Sequence, residues 1–463
     1  MKRKIILLSD VRGVEGDNIL YMPLSIMAIG TVLKSIGFEP TLIDVQVEPR
    51  WTELLRHHLD DALLFGVSSL TGPSIFSVLE GINIAKQHCP QVPIVWGGYH
   101  ATQAYRSIFD EGLVDYVIYG PGEEAVAGLS RVLYEYKDSA FINNRLKNVP
   151  NLIYRDGSNI VVNPYRIMPD VNELASMDYE LIDVYKYFNK EYQYIQYVSS
   201  YGCPYSCTFC AEPAQSSKKW KGFMAERFVD EVSFLWRKYQ PQKIYLVDAN
   251  YSSNPKRVVE IVEEMQRRKA YVKVLCDMRA GDILRIAERT DLKKLKEVGF
   301  EEIFIGLETG SDRMLNLLKK NLKSSDGLKA CRMLAESGIE FCTSFIHDFP
   351  METVEDSDQT FELIEKLCQL QGNTQSHHFY TPYPATEMYS QLLTNSNIRE
   401  EKKQTDWART STFYGSDLWS GRMPFRRNVL RRLLSLHREY PTHLPKTNLP
   451  VLRPIKVSGF VGS

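Results

Sequence analysis

The sequence predicts an α/β chain in three parts: an open, doubly wound parallel sheet, a second strand–helix module, and a small C-terminal extension. Three observations carry this. The chain has 463 residues, enough for about three domains at ~150 residues each. Over the first third, short apolar runs without polar alternation recur between amphipathic stretches, as strands buried on both faces do. Hydrophobic residues make up 44 % and charged residues 24 %, the balance of a globular protein with a sizeable core.

Candidate strands are Lys4–Ser9, Pro40–Val45, Ala62–Ser68, Pro93–Gly97 and Val114–Tyr119, with helices such as Pro23–Ile36 and Ser74–His88 between them. The alternation predicts five parallel strands in a first domain over residues 1–136. The basic start at Lys2 leads into only four apolar residues, Ile5 to Leu8, too few for a secretory signal and suited to a buried strand. No apolar run approaches the ~20 residues that span a bilayer. Lysine plus arginine (56) nearly balances aspartate plus glutamate (57), so no net field draws the chain toward nucleic acid or an acidic membrane. A cytoplasmic protein is expected.

The loops after three of those strands are rich in glycine and hydroxyls: Gly66 to Gly72 (with Ser68, Ser69, Leu70 and Thr71), Trp96 to Thr102 (with Gly97, Gly98 and His100), and Tyr119 to Glu124 (with Gly120, Gly122 and Glu123). Ligands of open α/β sheets bind beyond the carboxyl ends of the strands, where glycine lets backbone approach closely. One such loop is an ordinary tight turn, whereas three at one edge predict a ligand platform. No Gly-x-Gly-x-x-Gly opens the first helix, which disfavours a dinucleotide. His100, without a ligand cluster, reads as a hydrogen-bonding or pocket residue rather than a metal ligand. Asp10 and Asn18, in the loop after the first strand, are further candidates for ligand contact.

Residues 137–191 read as a linker. It carries a hairpin of Asn151–Arg155 and Ile160–Asn163 around Asp156-Gly157, followed by an extended, tyrosine-rich connector.

Eight cysteines are present. Cys89, Cys276, Cys331, Cys342 and Cys368 are scattered among apolar neighbours and read as buried thiols in a reducing compartment. Cys203, Cys207 and Cys210 instead crowd into one loop at the end of a strand over Tyr194–Ser199. Soft thiolates select zinc, copper(I) or iron–sulfur clusters. A structural zinc wants four closed ligands, and no fourth lies close in sequence. An incomplete trio suits a 4Fe–4S cluster with one iron left open. Three structural cysteines are the alternative.

Cys203-x-x-x-Cys207-x-x-Cys210 resembles the signature of radical S-adenosylmethionine (SAM) enzymes. The resemblance implies a partial barrel of six strand–helix units over residues 192–391. Lys243–Val247, Lys273–Arg279, Glu302–Leu307, Phe341–Ile346 and His378–Tyr380 would follow the cluster strand, with helices such as Asn254–Gln266 and Ser325–Ser337 between them. It implies that the three cysteines hold the cluster and that Phe209 lies beside the adenine. It places Glu308, within Gly306-Leu307-Glu308-Thr309-Gly310-Ser311, near the ribose or amino group. Asp248 and Asn250 would serve the methionine end, and Arg279 its carboxylate. Ser344 and His347 are further pocket candidates. Met351 and Ala385 stand where the family commonly differs.

With an open sheet ahead of it, the barrel resembles the cobalamin-binding subfamily that includes the anaerobic magnesium-protoporphyrin cyclases and radical C-methyltransferases. The resemblance implies a Rossmann-like cobalamin domain whose corrin rests on the three loops and on Asp10. No Asp-x-His-x-x-Gly follows the first strand, so the lower face of the corrin is expected against the Ser68–Thr71 loop or water. The implied reaction is methyl transfer to an unactivated carbon of a small molecule, through a 5′-deoxyadenosyl radical and methylcobalamin. An electron donor such as flavodoxin or ferredoxin is implied. The alternatives are a cyclase, rearranging or oxygenating enzyme with the same cofactors, and a non-catalytic cobalamin-binding protein with a structural zinc.

Residues 392–463 depart from barrel rhythm. An aromatic segment (Thr410 to Gly415, with Trp407 and Trp419) is expected over the barrel mouth. Pro424–Glu439 reads as a helix whose arginines 426, 427, 431, 432 and 438 form a solvated face.

Overall fold

The computed structural model describes residues 3–11, 19–136, 139–166, 170–395, 398, 403–409 and 423–445. Asn18, the segment from Thr410 to Gly415 and Trp419 lie outside the described residues.

The first sheet has seven strands: β1 (Lys4–Ser9), β2 (Glu39–Asp44), β3 (Ala62–Ser68), β4 (Ile94–Gly97), β5 (Tyr116–Ile118), β6 (Leu152–Asp156) and β7 (Asn159–Val162), in the order β2-β1-β3-β4-β5-β6-β7. The first five run parallel, as expected from their unalternating apolar sequences. The hairpin assigned to the linker is β6–β7. It does not stand apart but adds two antiparallel strands to β5, pairing Val117 with Ile153. Leu152 and Tyr154 are buried on one face and Ile153 on the other, so burial on both faces holds the hairpin on the sheet. Asn163 fixes its exit by donating to the carbonyls of Leu146 and Val149, each at 2.7 Å.

The second sheet is a six-stranded partial barrel of β8 (Tyr194–Tyr197), β11 (Lys243–Leu246), β12 (Val274–Met278), β13 (Phe300–Glu308), β14 (Glu340–His347) and β15 (Asn373–Phe379) in sequential parallel order. Between the first two lies a small antiparallel pair, β9 (Ser200–Gly202) and β10 (Trp220–Gly222). The expected strand over Tyr194–Ser199 is therefore broken after Tyr197, and a hairpin encloses the cysteine loop. Along β11, β12, β13 and β15, buried residues that face the helices alternate with partly exposed residues that face the lumen. The barrel is hollow.

The exposed edge of β15 is not left open. The Gln375 N–H donates to the His443 carbonyl at 2.7 Å, and the helix Met423–Glu439 buries Val429 and Leu433 in the core that holds Phe341, Phe361 and Phe379. Its arginines are not one solvated face. Arg426 is buried in an ion pair with Asp348, and Arg432 pairs with Asp358 while lying 3.8 Å over the Phe361 ring. Arg427, Arg431 and Arg438 are exposed.

The two sheets share a core: Ile6, Phe65 and Trp96 pack in the same apolar cluster as Phe349, Tyr380, Met388 and Trp407. Beside Trp96, the buried His100 ring bonds Thr71 Oγ1 at 2.9 Å and Gln404 Oε1 at 2.6 Å. Gln404 uses its amide nitrogen on Ser107, so the His100 Nε2–H donates and Nδ1 accepts. Burial pushes the His100 imidazolium down to about 4 from its ordinary 6.5. The unfolded chain takes up that proton first. This group's stabilisation is full above pH 6.5 and is lost as pH falls toward 4, a change of about 3 kcal/mol. Denaturant unfolding across that window should show the slope, and His100→Gln should flatten it.

Candidate active site

The carboxyl ends of the strands of both sheets open into one cavity of about 660 Å³. From the first sheet its wall takes Leu7, Ser68, Leu70, Gly97, Gly98, Gly120, Gly122 and Glu123; from the barrel it takes Gln196, Val198, Ser200, Val247 and Ala249, and Glu212 from the cysteine loop. Leu70 projects into it half-exposed. Gly98 makes the edge possible: its φ is +91°, and a Cβ there would stand 2.7 Å from Ser68 Oγ. The expected loop from Trp96 to Thr102 is only a two-glycine corner, since a helix begins at Gly98 itself.

Four of the residues expected on this platform turn away from it, because buried polar groups must find partners. Asp10 accepts from Ser77 Oγ at 2.6 Å, and Ser69 Oγ accepts from Trp96 Nε1 at 3.0 Å. Thr71 and His100 bond each other. They brace the loops.

The cysteine loop lies across the mouth of the barrel. Cys207 is buried, with Cys203 and Cys210 partly so. Burial raises the Cys203 thiol, opposed by the Tyr205 N–H and the Arg279 guanidinium, and pushes Cys210 up to about 12. Metal binding here must displace protons. Among the described residues no three His, Cys, Asp or Glu side chains converge on a single-ion site. A cubane asks less convergence of its ligands, since each thiolate takes a different iron. The other five cysteines are buried, four in core strands and helices and Cys89 just after the helix Ser74–His88, and none joins the loop as a fourth ligand.

Arg279, at the end of β12, is within 3.4 Å of Cys207 Sγ, stacks 3.7 Å over the Tyr205 ring and donates to the Lys320 carbonyl. Phe209 meets Phe349 edge-on at 5.8 Å. Glu308 is nine-tenths buried in an ion pair with Lys320 at 2.5 Å. Its φ is +67°, strained for a residue with a side chain, and its carboxylate folds over Gly306, where a Cβ would collide with it. Ser344 lies on the lumen wall opposite Gly306 and Ser376.

Asp248 and Asn250 depart from the expected role. Asp248 accepts from Ser199 N, Ser199 Oγ and Ser200 Oγ at 2.6–2.7 Å, tying β8 to β11. Asn250 caps the turn at Ser252 and donates to Asp282 at 3.0 Å. His347, pushed down to about 3 by burial, bonds His377 at 3.1 Å instead of facing the mouth.

Sequence reasoning missed Lys320, whose only signal was its place in the Lys319-Lys320-Asn321 turn, and Tyr99 with Glu212. Tyr99, in the first unit, donates its hydroxyl to Glu212, whose own N–H points at Cys210 Sγ at 3.4 Å. No pattern links residues 113 apart in the chain.

Residues 197–364 match the Radical SAM superfamily and residues 19–130 match the B12 binding domain. The chain is 25 % identical over 338 residues to an uncharacterized methyltransferase of Pyrococcus horikoshii, covering 73 % of this chain and 70 % of that one. It is 26 % identical to the anaerobic magnesium-protoporphyrin IX monomethyl ester cyclase of a Synechocystis strain (83 % and 75 % covered). With the hopanoid C-3 methylase of Methylococcus capsulatus it shares 24 % identity (81 % and 70 % covered). Among solved structures, the radical SAM methyltransferase TsrM of Kitasatospora setae superposes with a TM-score of 0.70 at 16 % identity, covering 94 % of this chain and 89 % of that one. The cobalamin-dependent radical SAM enzyme OxsB superposes at 0.69 and 18 % identity, covering 97 % and 63 %.

The chain is a radical SAM enzyme with an N-terminal B12-binding domain. Its cofactors are a 4Fe–4S cluster, SAM and cobalamin. The residues present fit them: three thiols in one loop, a guanidinium beside them, and a glycine-edged cavity that a broad flat ring can enter.

The Glu308–Lys320 pair offers a direct check. Lys320→Met leaves a buried carboxylate alone and should cost about 3–5 kcal/mol, while adding Glu308→Gln should recover most of it. Denaturant midpoints of the wild type and the two variants measure both.

Proposed function

We propose that this cobalamin-dependent radical SAM enzyme transfers a methyl group to an unactivated carbon of a small molecule. The observation that carries the reading is the single cavity walled by both sheets and reaching Glu212, two residues from Cys210. It supports a ring bound on the first sheet lying close to a cofactor bound at the cysteine loop. Similarity to methylases and methyltransferases supports the transfer of a methyl group.

When bound, the reduced cluster with SAM supplies a hydrogen-abstracting radical, and cobalamin supplies a transferable methyl group. The protein's part is placement and exclusion. Cys203, Cys207 and Cys210 would hold the cluster. Arg279, fixed by Tyr205 and the Lys320 carbonyl, aims its fork at the mouth, where it suits a carboxylate. Phe209 and Phe349 form an apolar wall that suits an adenine ring. Leu70, half-exposed in the cavity, would offer no ligating atom to a bound corrin, and the cavity's largely apolar lining would keep water and stray hydrogen donors from the reacting groups. The Tyr99–Glu212 contact ties the two halves of the site together. The reductant is a low-potential one-electron carrier of the flavodoxin or ferredoxin type.

The cyclase similarity favours a second reading, ring formation by the same cofactors.

Anaerobic reconstitution should give about four irons per chain and one cobalamin. With reductant and SAM the protein should release 5′-deoxyadenosine and S-adenosylhomocysteine. Release of 5′-deoxyadenosine alone, with a product lacking an added methyl, would favour the second reading; release of neither would overturn both. Replacing the three loop cysteines by serine should abolish iron binding and leave cobalamin binding intact.

A further inference from the structure

The barrel lumen holds a carboxyl group that no step above uses. Asp277 sits on β12 two residues below Arg279, on the lumen face, while Cys276 and Met278 on either side of it are buried among the helices. Its Oδ1 is buried and has no hydrogen-bond partner among the described residues. Every neighbouring acid is paired: Asp248 with Ser199 and Ser200, Glu302 with Lys243 at 2.8 Å, Glu308 with Lys320.

The strand register shows what lies at its level. Leu246 pairs with both Tyr197 and Cys276, which sets Val198, Val247 and Asp277 on one rung. The rung continues through Phe304, Cys342 and Thr374. Val198 and Val247 line the large cavity, so Asp277 is the next position round the lumen wall from the cavity's barrel end. The rung above it carries Arg279, which touches the cluster loop. Asp277 is partly exposed on this wall, one strand round from Val247.

Burial and the Asp248 carboxylate push the Asp277 carboxyl up to about 7, and burial, with Glu302 and Asp277, raises the Cys342 thiol. An alcohol would satisfy the lone oxygen but leave the charge uncompensated; an ammonium supplies both hydrogen bond and countercharge.

We propose that Asp277 is the substrate anchor of this enzyme and that its substrate presents an amine to it, with the carbon skeleton lying along Val198 and Val247 toward the cavity. This rests on the reading of the cavity as the reaction chamber.

The test uses the full chain reconstituted with iron, sulfide and cobalamin, and follows the protonated-carboxyl band by infrared difference spectroscopy. Wild type should show a carboxyl titrating near pH 7 that is missing in Asp277→Asn. Butylammonium should lower its midpoint by about one pH unit or more, and butanol or butyrate should not. A midpoint indifferent to the amine, or moved equally by the alcohol, overturns the proposal. SAM affinity by equilibrium dialysis should be unchanged in Asp277→Asn; a loss of about tenfold would assign the carboxyl to the cofactor instead and overturn it too. The variant should melt at or above the wild-type temperature, since an amide of the same shape removes a buried unpaired acid; a marked drop would mean a structural carboxyl. Should the cofactor reading itself be wrong, iron and cobalamin would fail to bind while the carboxyl titration stayed readable.

Discussion

Everything at this site depends on two parallel sheets being held with their strand carboxyl ends toward a common space. A buried amide does much of the holding. Gln196, on the first barrel strand, accepts from the Met22 N–H at 3.1 Å and donates to the Leu20 carbonyl at 3.3 Å, while Tyr179 donates to the Gln196 carbonyl at 2.6 Å. Tyr187 adds a bond to Asp44 at 2.7 Å, at the end of β2. These groups cannot separate without stranding buried donors and acceptors, which costs more than the bonds themselves contribute. The connector between the units is thus a clamp, built from three short helical turns capped by Asp170, Asp178 and Asp183.

That requirement also sorts the polar residues of the site. Asp248, Asn250, Asp10 and His100 each satisfy neighbours in the protein, so they hold strands and loops in place. Arg279 is different: its position is fixed by Tyr205 and the Lys320 carbonyl, yet it stands beside the Cys207 thiol. Glu308 sits between these cases, strained in backbone and neutralised by Lys320. The folded chain spends its local bonds on positioning, and leaves Gly98, Leu70, the cysteine loop and the lumen wall for ligands.

Much of the fold was legible in advance. Strands buried on both faces have few alternatives to a parallel sheet, and β1 and β3 fall on the residues their apolar runs mark. The trio of cysteines was legible for the same local reason: spacing within one loop is written directly in the chain. The hairpin β6–β7 was legible as a hairpin but not as part of the sheet, since its partner β5 lies more than thirty residues earlier. The break after Tyr197 was hidden because β9 pairs with β10 across the whole cysteine loop.

By itself, then, the chain determined its strand and helix periods, its glycine corners and its three-cysteine loop, because these follow from neighbours within a few residues. Tertiary structure alone decided which polar groups are consumed. Tyr99 with Glu212, Glu308 with Lys320, and the solitary carboxyl of Asp277 are matters of burial and of distance in space, and neither is set until the chain has folded.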